Sequence, residues 1–577
     1  MTLLRRITQP RWLFGIILVV GFAVRIPSLW YGVPHLSFVD EYIHTAHALK
    51  IISEANPFLA FSYLPPLIPY LMLPFIALWG LVGIAFGLFS GVAGFQEFAI
   101  LQSGYFVLIT RAISIAFGMG ILATVYAFAR RMFGNSAALL AASLASFDML
   151  LTIEAQAGRI WGAITFFIVF GMYGLYRLHE TNQTRWCVCV AACIGLGWGV
   201  GYIPAILIPW ALYAFWAAHK KYHTPRINRN ALMAVLVIII CMVFFALANT
   251  YSMQRQFGRG FNTIANFTGI EIVIPEGTGE GFDNTPKLLE NYQLIGSILA
   301  HDMLYVALLA LGVFVILCAY LCLRKSEFVF VGLFPFIYLL GVPFVFGGLN
   351  VNYILPAIPF LIMLGSWGVV RVVNMFSNRT MRSAALFVIL GVLFVPRMHH
   401  SIVHASLLLR DDTRTQAVKW IEREVPDGSV LVSDIPDIDQ WLLPSDQGVL
   451  YKTEAVPGRV RTRDIYIREH SASIIKPRYT VIATQYDSDW RDSALLNTAA
   501  YLVVGTYMDG VDSKARTQEL LNVFKGRTTL VQRLYPEGEH DGYRSVPQFF
   551  EDDLFFDVWN DRRERYGPYI DIYALNR

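Results

Sequence analysis

Charge is scarce in this chain. Asp, Glu, Lys and Arg make up 15% of its 577 residues and hydrophobic residues 55%, a balance that excludes an ordinary soluble globular protein. The formal net charge is only +4, and it is spread through short loops, which excludes a nucleic-acid surface or a basic tail. Cysteine is scarce too. All six (Cys187, Cys189, Cys193, Cys241, Cys318 and Cys322) lie in apolar segments, so no disulfide holds the C-terminal part together. That part, 400–577, also lacks any stretch able to span a bilayer, whereas 1–399 carries nearly all the long apolar runs. The chain therefore reads as an integral membrane protein with its main domain boundary near 399.

Spans are expected near 12–30, 104–129, 136–153, 160–177, 187–200, 203–218, 231–249, 302–323, 327–347, 353–373 and 384–398. Six basic clusters punctuate them: Arg5/Arg6/Arg11, Arg130/Arg131, Arg177/Arg185, the run 219–229, Arg324/Lys325, and Arg371/Arg379/Arg382. Eleven spans place every cluster on the cytoplasmic side, as the positive-inside rule requires. Residues 65–89 are also long enough to cross, but a single crossing there would reverse every later loop. They are read as lying along or dipping into the outer leaflet, partly broken by Pro65, Pro66, Pro69 and Pro74, within an external loop 31–103. Arg5 and Arg6 ahead of the first run, with no small-residue cleavage site, indicate a signal anchor.

This topology gathers the polar residues on one side. Asp40 and Glu41 follow the first span, Arg111 opens the second, Asp148 and Glu154 lie at the end of the third, and Arg159 opens the fourth. Ionisable groups at membrane depth are costly and face a cavity or one another. Asp40 reads equally as a helix N-cap or as a reactive carboxylate, and Asp148 with Arg111 as a structural ion pair. His44 and His47 share a helical face with Asp40, a spacing that could hold a metal. The same pattern suits a wetted amphipathic helix, which is the reading preferred for them.

Sugar nucleotides stay in the cytoplasm, so sugar transfer outside draws on a polyprenyl-phosphate carrier whose head lies at the membrane surface. There a carboxylate can take the proton of an acceptor hydroxyl, and cationic groups can offset the charge on the departing phosphate.

The stretches "VDEYIHTAHALK", "YLPPLIPYL" at 63–71, "RAISIAFGMGILATVYAFARRMFG" at 111–134 and "NYILPAIPFLIMLGSWG" at 352–368 together resemble the GT-C glycosyltransferases of the protein mannosyltransferase and aminoarabinose transferase type. The resemblance covers about residues 20–370. It implies a GT-C fold, a polyprenyl-phosphate sugar donor for a hexosyl or pentosyl transfer, and a protein, glycan or lipid acceptor. By the same resemblance, Asp40 is the catalytic base and Glu41 positions it or the acceptor. The chain departs from the family where it has Trp161 at the acidic position of an Arg-x-Asp, which leaves Glu154 to substitute. It also departs at Leu64, where relatives acting on lipid A have Lys, and at Asn352, which replaces a basic residue before Tyr353. Tyr63, Asp148, Arg111, Arg159 and Tyr353 are the expected substrate contacts. No cofactor is certain; a divalent cation is allowed.

The loop 250–301 is expected to be an external substrate loop, with Arg255, Arg259 and Lys287 able to meet a phosphate. The tail alternates helix-like and strand-like stretches, among them "SVLVSDI", "YTVIAT", "AYLVVGTY" and "GPYIDIYAL", which predicts a small external α/β domain serving acceptor binding. Its acidic turn 433–439 could bind a cation or stay solvated. Against the enzyme stands a transporter or flippase of a lipid-linked sugar, which would show polar residues at mid-membrane and an internal repeat. The sequence shows neither. A non-catalytic, receptor-like relative of the enzymes is the third reading, raised by Trp161.

Overall fold

From Val107 to Phe133, 27 residues with no proline form one continuous helix whose last turn carries Arg130 and Arg131, where cations complement the helix dipole. The chain around it, a computed structural model, is described for residues 10–35, 38, 40–58, 64–222, 225–250, 288–301, 329–345, 350–470, 476–506, 511–536 and 563–576. It divides into two compact units: residues 1–29, 39–77 and 108–402, and residues 30–38, 78–107 and 403–577.

The first unit is helical. Seven helices among the described residues are long and apolar enough to cross a membrane, or eight if a bent pair is one span. The helix Ile160–Thr181 packs on Thr184–Trp198, which packs on Pro225–Ala248, while Asn135–Phe147 packs on both Pro10–Arg25 and Ile358–Met375. Asn182 takes the left-handed conformation, with φ 48°, and stops the helix Ile160–Thr181, as Asn does at helix C-termini. The span expected at 302–323 lies outside the described residues.

Two expectations change. The apolar run 136–153 is two helices, Asn135–Phe147 and Met149–Gln156, meeting at 57°. Asp148 sits at the break in extended conformation and caps the second helix by accepting the Leu151 N–H at 3.0 Å. The prolines of 65–89 do not break it either: Leu67–Ala85 is a continuous helix with Pro74 inside. Pro69 falls in the first turn, where the missing N–H has no helical partner to lose. The Leu67 N–H bonds the Gly199 carbonyl at 2.9 Å and Asn249 Nδ2 bonds the Leu64 carbonyl at 3.0 Å, fixing where the helix starts.

The second unit holds the expected α/β fold. Five strands, β1 (Val430–Ser433), β2 (Thr480–Ala483), β3 (Ala499–Thr506), β4 (Thr528–Leu534) and β5 (Tyr569–Leu575), form one sheet in the order β2-β1-β3-β5-β4. β1 runs parallel to β2 and β3, and β5 antiparallel to β3 and β4. Alternate residues feed opposite cores. Leu431, Val503, Ile570 and Ile572 pack with Ala417, Val418 and Ile421 of the helix Thr413–Glu424, and Val430, Val432, Leu502 and Val504 pack with Leu520 and Phe524. Burial on both faces explains the near-continuous apolar runs of β1–β3.

Residues 30–38 are strapped into this unit. Tyr31 donates to Asp412 at 2.6 Å, and Asp412 caps the helix Thr413–Glu424 while accepting from Arg414. Trp79, Phe89, Phe95, Phe98 and Phe106 form an aromatic cluster in the same unit.

Candidate active site

Glu41 opens the helix Glu41–Ser53 and is fully buried. Its carboxylate takes a bidentate pair from Arg111, Nε to Oε1 at 2.8 Å and Nη2 to Oε2 at 2.9 Å, and a third bond from the Gly158 N–H at 3.0 Å. Arg111, also fully buried, donates from Nη1 to the Ser28 carbonyl at 2.7 Å and to that of Leu29 at 3.3 Å. One ion pair thus joins the end of the first helix, the start of Glu41–Ser53, the helix Val107–Phe133 and the link before Ile160–Thr181. Only glycine fits at 158, because a Cβ there would lie 2.8 Å from Glu41 Cγ, Glu41 Oε1 and Thr110 Cβ.

Asp40 differs from its neighbour in every respect. It is partly exposed, its backbone is left-handed at φ 68°, and its side chain makes no capping hydrogen bond to the helix it precedes. The capping role open to it in the sequence is therefore not taken up by its side chain. A non-glycine residue in this conformation is a strained choice of the kind found at functional sites.

Glu154 completes the group. It is fully buried, lies 3.6 Å from Arg159 Nη1, and interacts electrostatically with Asp40. Neither of its carboxylate oxygens has a hydrogen-bond partner. The Arg159 carbonyl accepts from Ser114 at 3.4 Å, tying this corner back to Val107–Phe133. Five residues singled out in the sequence, Asp40, Glu41, Arg111, Glu154 and Arg159, therefore converge.

The others fall differently. Asp148 caps the helix Met149–Gln156, and its charge is attracted by Arg25, a fully buried residue that donates to the Gly21 carbonyl at 2.8 Å and that of Ser146 at 3.1 Å. Tyr353 sits edge-on to Trp161, ring centroids 4.7 Å apart, and its carbonyl accepts from Tyr338 at 2.8 Å. His44 is not wetted but fully buried, and burial, with His47 adding to it, holds its imidazole down to about 3. His47 is held down to about 4 by burial and by Lys50. No group of three potential metal ligands exists among the described residues. Tyr63, Arg255, Arg259 and Lys287 lie outside the described residues.

Arg25, Gly158 and Ser114 escaped the sequence reading. Arg25, an arginine closing an apolar run, carried a usable signal; the other two carried none.

The site defines a polytopic helical membrane protein with a buried Arg–carboxylate cluster and an α/β domain. Residues 98–248 match the family of dolichyl-phosphate-mannose-protein mannosyltransferases, in line with the resemblance the motifs carry. No protein of curated function matches the chain in sequence. Among solved structures it is similar to ArnT from Cupriavidus metallidurans bound to undecaprenyl phosphate, with 11% identity, 97% of each chain covered and a TM-score of 0.47. ArnT in the apo state gives 12% identity, 97% coverage of each chain and 0.46. The oligosaccharyltransferase of Archaeoglobus fulgidus in the apo form gives 12% identity, 94% of this chain, 75% of that chain and 0.46.

Proposed function

We propose that this chain is a membrane glycosyltransferase that moves a monosaccharide from a polyprenyl-phosphate donor to an acceptor hydroxyl at the outer or luminal face. The observation that carries the reading is Asp40: a partly exposed carboxylate in a strained conformation, not engaged in capping, within electrostatic reach of the buried Glu154, which itself lies 3.6 Å from Arg159, in a chain with a mannosyltransferase-like segment at 98–248.

In this reading Asp40 takes the proton from the acceptor hydroxyl as it attacks the anomeric carbon. Arg159 faces the charge developing on the departing phosphate, and Glu154 holds Arg159. The guanidinium of Arg111 is engaged by Glu41 and two carbonyls, so Arg111 positions the site and does not bind the phosphate. The placement on the outer face rests on one helix. Arg111 and the basic pair at Arg130 and Arg131 lie about twenty residues apart on Val107–Phe133, roughly 30 Å along its axis, which is the thickness of a bilayer core. If the basic pair is cytoplasmic, the site is on the opposite side.

The test is incubation of the purified protein with a panel of polyprenyl-phosphate sugars and acceptors, read by mass spectrometry. The reading expects an acceptor heavier by one monosaccharide with at least one donor, and no transfer from any donor would refute it.

A further inference from the structure

Polar atoms buried without partners collect where the helix Ile160–Thr181 packs on the turn Val351–Ala357, which also packs on the short helix Met149–Gln156. Both carboxylate oxygens of Glu154, Oδ1 of Asn352 and Oγ1 of Thr165 are fully or almost fully buried, with no hydrogen-bond partner among the described residues. Each such group costs the fold stability, a carboxylate most of all. The backbone draws these side chains together. A Cβ at Gly162 would lie 3.3 Å from the Glu154 carbonyl, so the start of Ile160–Thr181 lies directly against the Glu154 backbone. Trp161 meets Tyr353 edge-on, ring centroids 4.7 Å apart, and Asn352 is the chain neighbour of Tyr353. Thr165 follows Trp161 by four residues, on the same helix face. Trp161 and Tyr353 are each partly exposed, so through this ring pair the buried group reaches the surface of its unit.

We infer that Glu154, Asn352 and Thr165 form the subsite for the sugar that is transferred, pairing with its hydroxyls, while Trp161 forms an apolar wall. This rests on the proposed function, in which Arg159 faces the phosphate of the carrier. Glu154 lies 3.6 Å from Arg159 Nη1. In a glycosyl phosphate a single oxygen separates sugar from phosphorus, so a ligand whose phosphate meets Arg159 brings its sugar to Glu154. The chemistry of the subsite selects the class of sugar. A carboxylate only accepts; a hydroxyl donates and accepts, so it pairs with Glu154, with the Thr165 hydroxyl and with either orientation of the Asn352 amide. Charge excludes the other classes. Glu154 faces one guanidinium, Arg159, and has a second carboxylate, Asp40, within electrostatic reach, so a sugar acid would add a third negative charge. A metal ion finds no group of three potential ligands among the described residues. The sugar is therefore a neutral hexose or pentose.

The full chain in phospholipid nanodiscs is titrated with polyprenyl phosphate and with the same carrier bearing a neutral hexose, a neutral pentose or a hexuronic acid, each competing with labelled polyprenyl phosphate. At least one neutral glycosyl carrier is expected to bind about tenfold or more tightly than the bare carrier, and the uronosyl carrier no more tightly than the bare one. Asn352→Leu should lose that gain yet bind the bare carrier as the native chain does, which also reports its folding. Thr165→Val, of the same shape without the hydroxyl, should lose part of the gain and serves where Asn352→Leu fails to insert. Glu154→Gln, with an amide in place of the carboxylate, should narrow the gap between uronosyl and neutral carriers. Four outcomes would each overturn the inference: no neutral carrier binding better than the bare one, uronosyl and neutral carriers binding alike, the full gain retained in a folded Asn352→Leu or Thr165→Val, or an unchanged gap in Glu154→Gln. If any of these accompanies sugar transfer by the native chain, the subsite falls and the proposed function stands. No transfer from any carrier refutes that function, and the subsite with it.

Discussion

The carboxylate of Glu41 holds a guanidinium and a backbone N–H at full burial, while the carboxylate one residue earlier is partly exposed and does not cap its helix. Two adjacent acids thus differ by environment alone: one is structural, the other is the carboxylate proposed here as the base. Removing one partner of a buried ion pair costs about 3–5 kcal/mol because the other charge is left unmatched. Glu41→Gln should therefore lower the melting temperature of the solubilised protein, and an unchanged melting temperature would show the pair to be idle. Gly158→Ala should do likewise, since its Cβ has no room against Glu41 and Thr110; a variant as stable as the native chain would mean that the link yields. The sequence made both acids visible as a pair at a membrane edge. It could not show that Glu41 would reach Arg111, 70 residues away, because nothing local couples them.

At the scale of elements, helices with unbroken apolar runs were readable. Val107–Phe133 and Ile160–Thr181 appear close to where hydropathy puts them; β1, β2 and β5 fall within the stretches that read as strands, and β3 starts one residue before its stretch. The break at Asp148 was hidden because one polar residue in an apolar run costs little in a hydropathy window, yet its side chain competes for a backbone N–H and starts a new helix. The continuity of Leu67–Ala85 was hidden by its prolines, which weigh more in a pattern than in a packed helix where Met72 and Ile76 are fully buried.

The sheet supplies a pH test. Asp434 follows β1 and accepts the Gly505 N–H at 2.8 Å. Burial lifts its carboxyl from the usual 3.8 to about 7, against the opposing pull of that N–H and of Arg516. The folded form thus holds a proton that the unfolded form releases near pH 4, so this group's contribution to stability is fullest below pH 4 and is lost as pH rises to about 7. Amide exchange in β1 and β3, corrected for intrinsic rates, should quicken over that window and level off above it. Asp434→Asn should flatten the slope, and the same slope in that variant would assign it elsewhere.

For the whole molecule, the proposed arrangement places the Arg–carboxylate cluster and residues 403–577 outside and the basic clusters inside. In a cysteine-free background, a cysteine at 440 should react with a membrane-impermeant thiol reagent in intact cells, and one at 222 should not. Reversed labelling would mean that Leu67–Ala85, long and apolar enough to cross, does so and turns every later segment over. The central claim, that Asp40 is the base of a sugar transfer at the membrane surface, meets its most direct test in Asp40→Asn. That change keeps the shape and much of the hydrogen bonding of the side chain but cannot accept the acceptor's proton. Turnover with a polyprenyl-phosphate sugar should fall about 100-fold or more, the scale of general-base catalysis, while donor binding, measured on the same preparation, is retained. A correctly inserted Asp40→Asn protein that transfers sugar at the native rate would contradict the account.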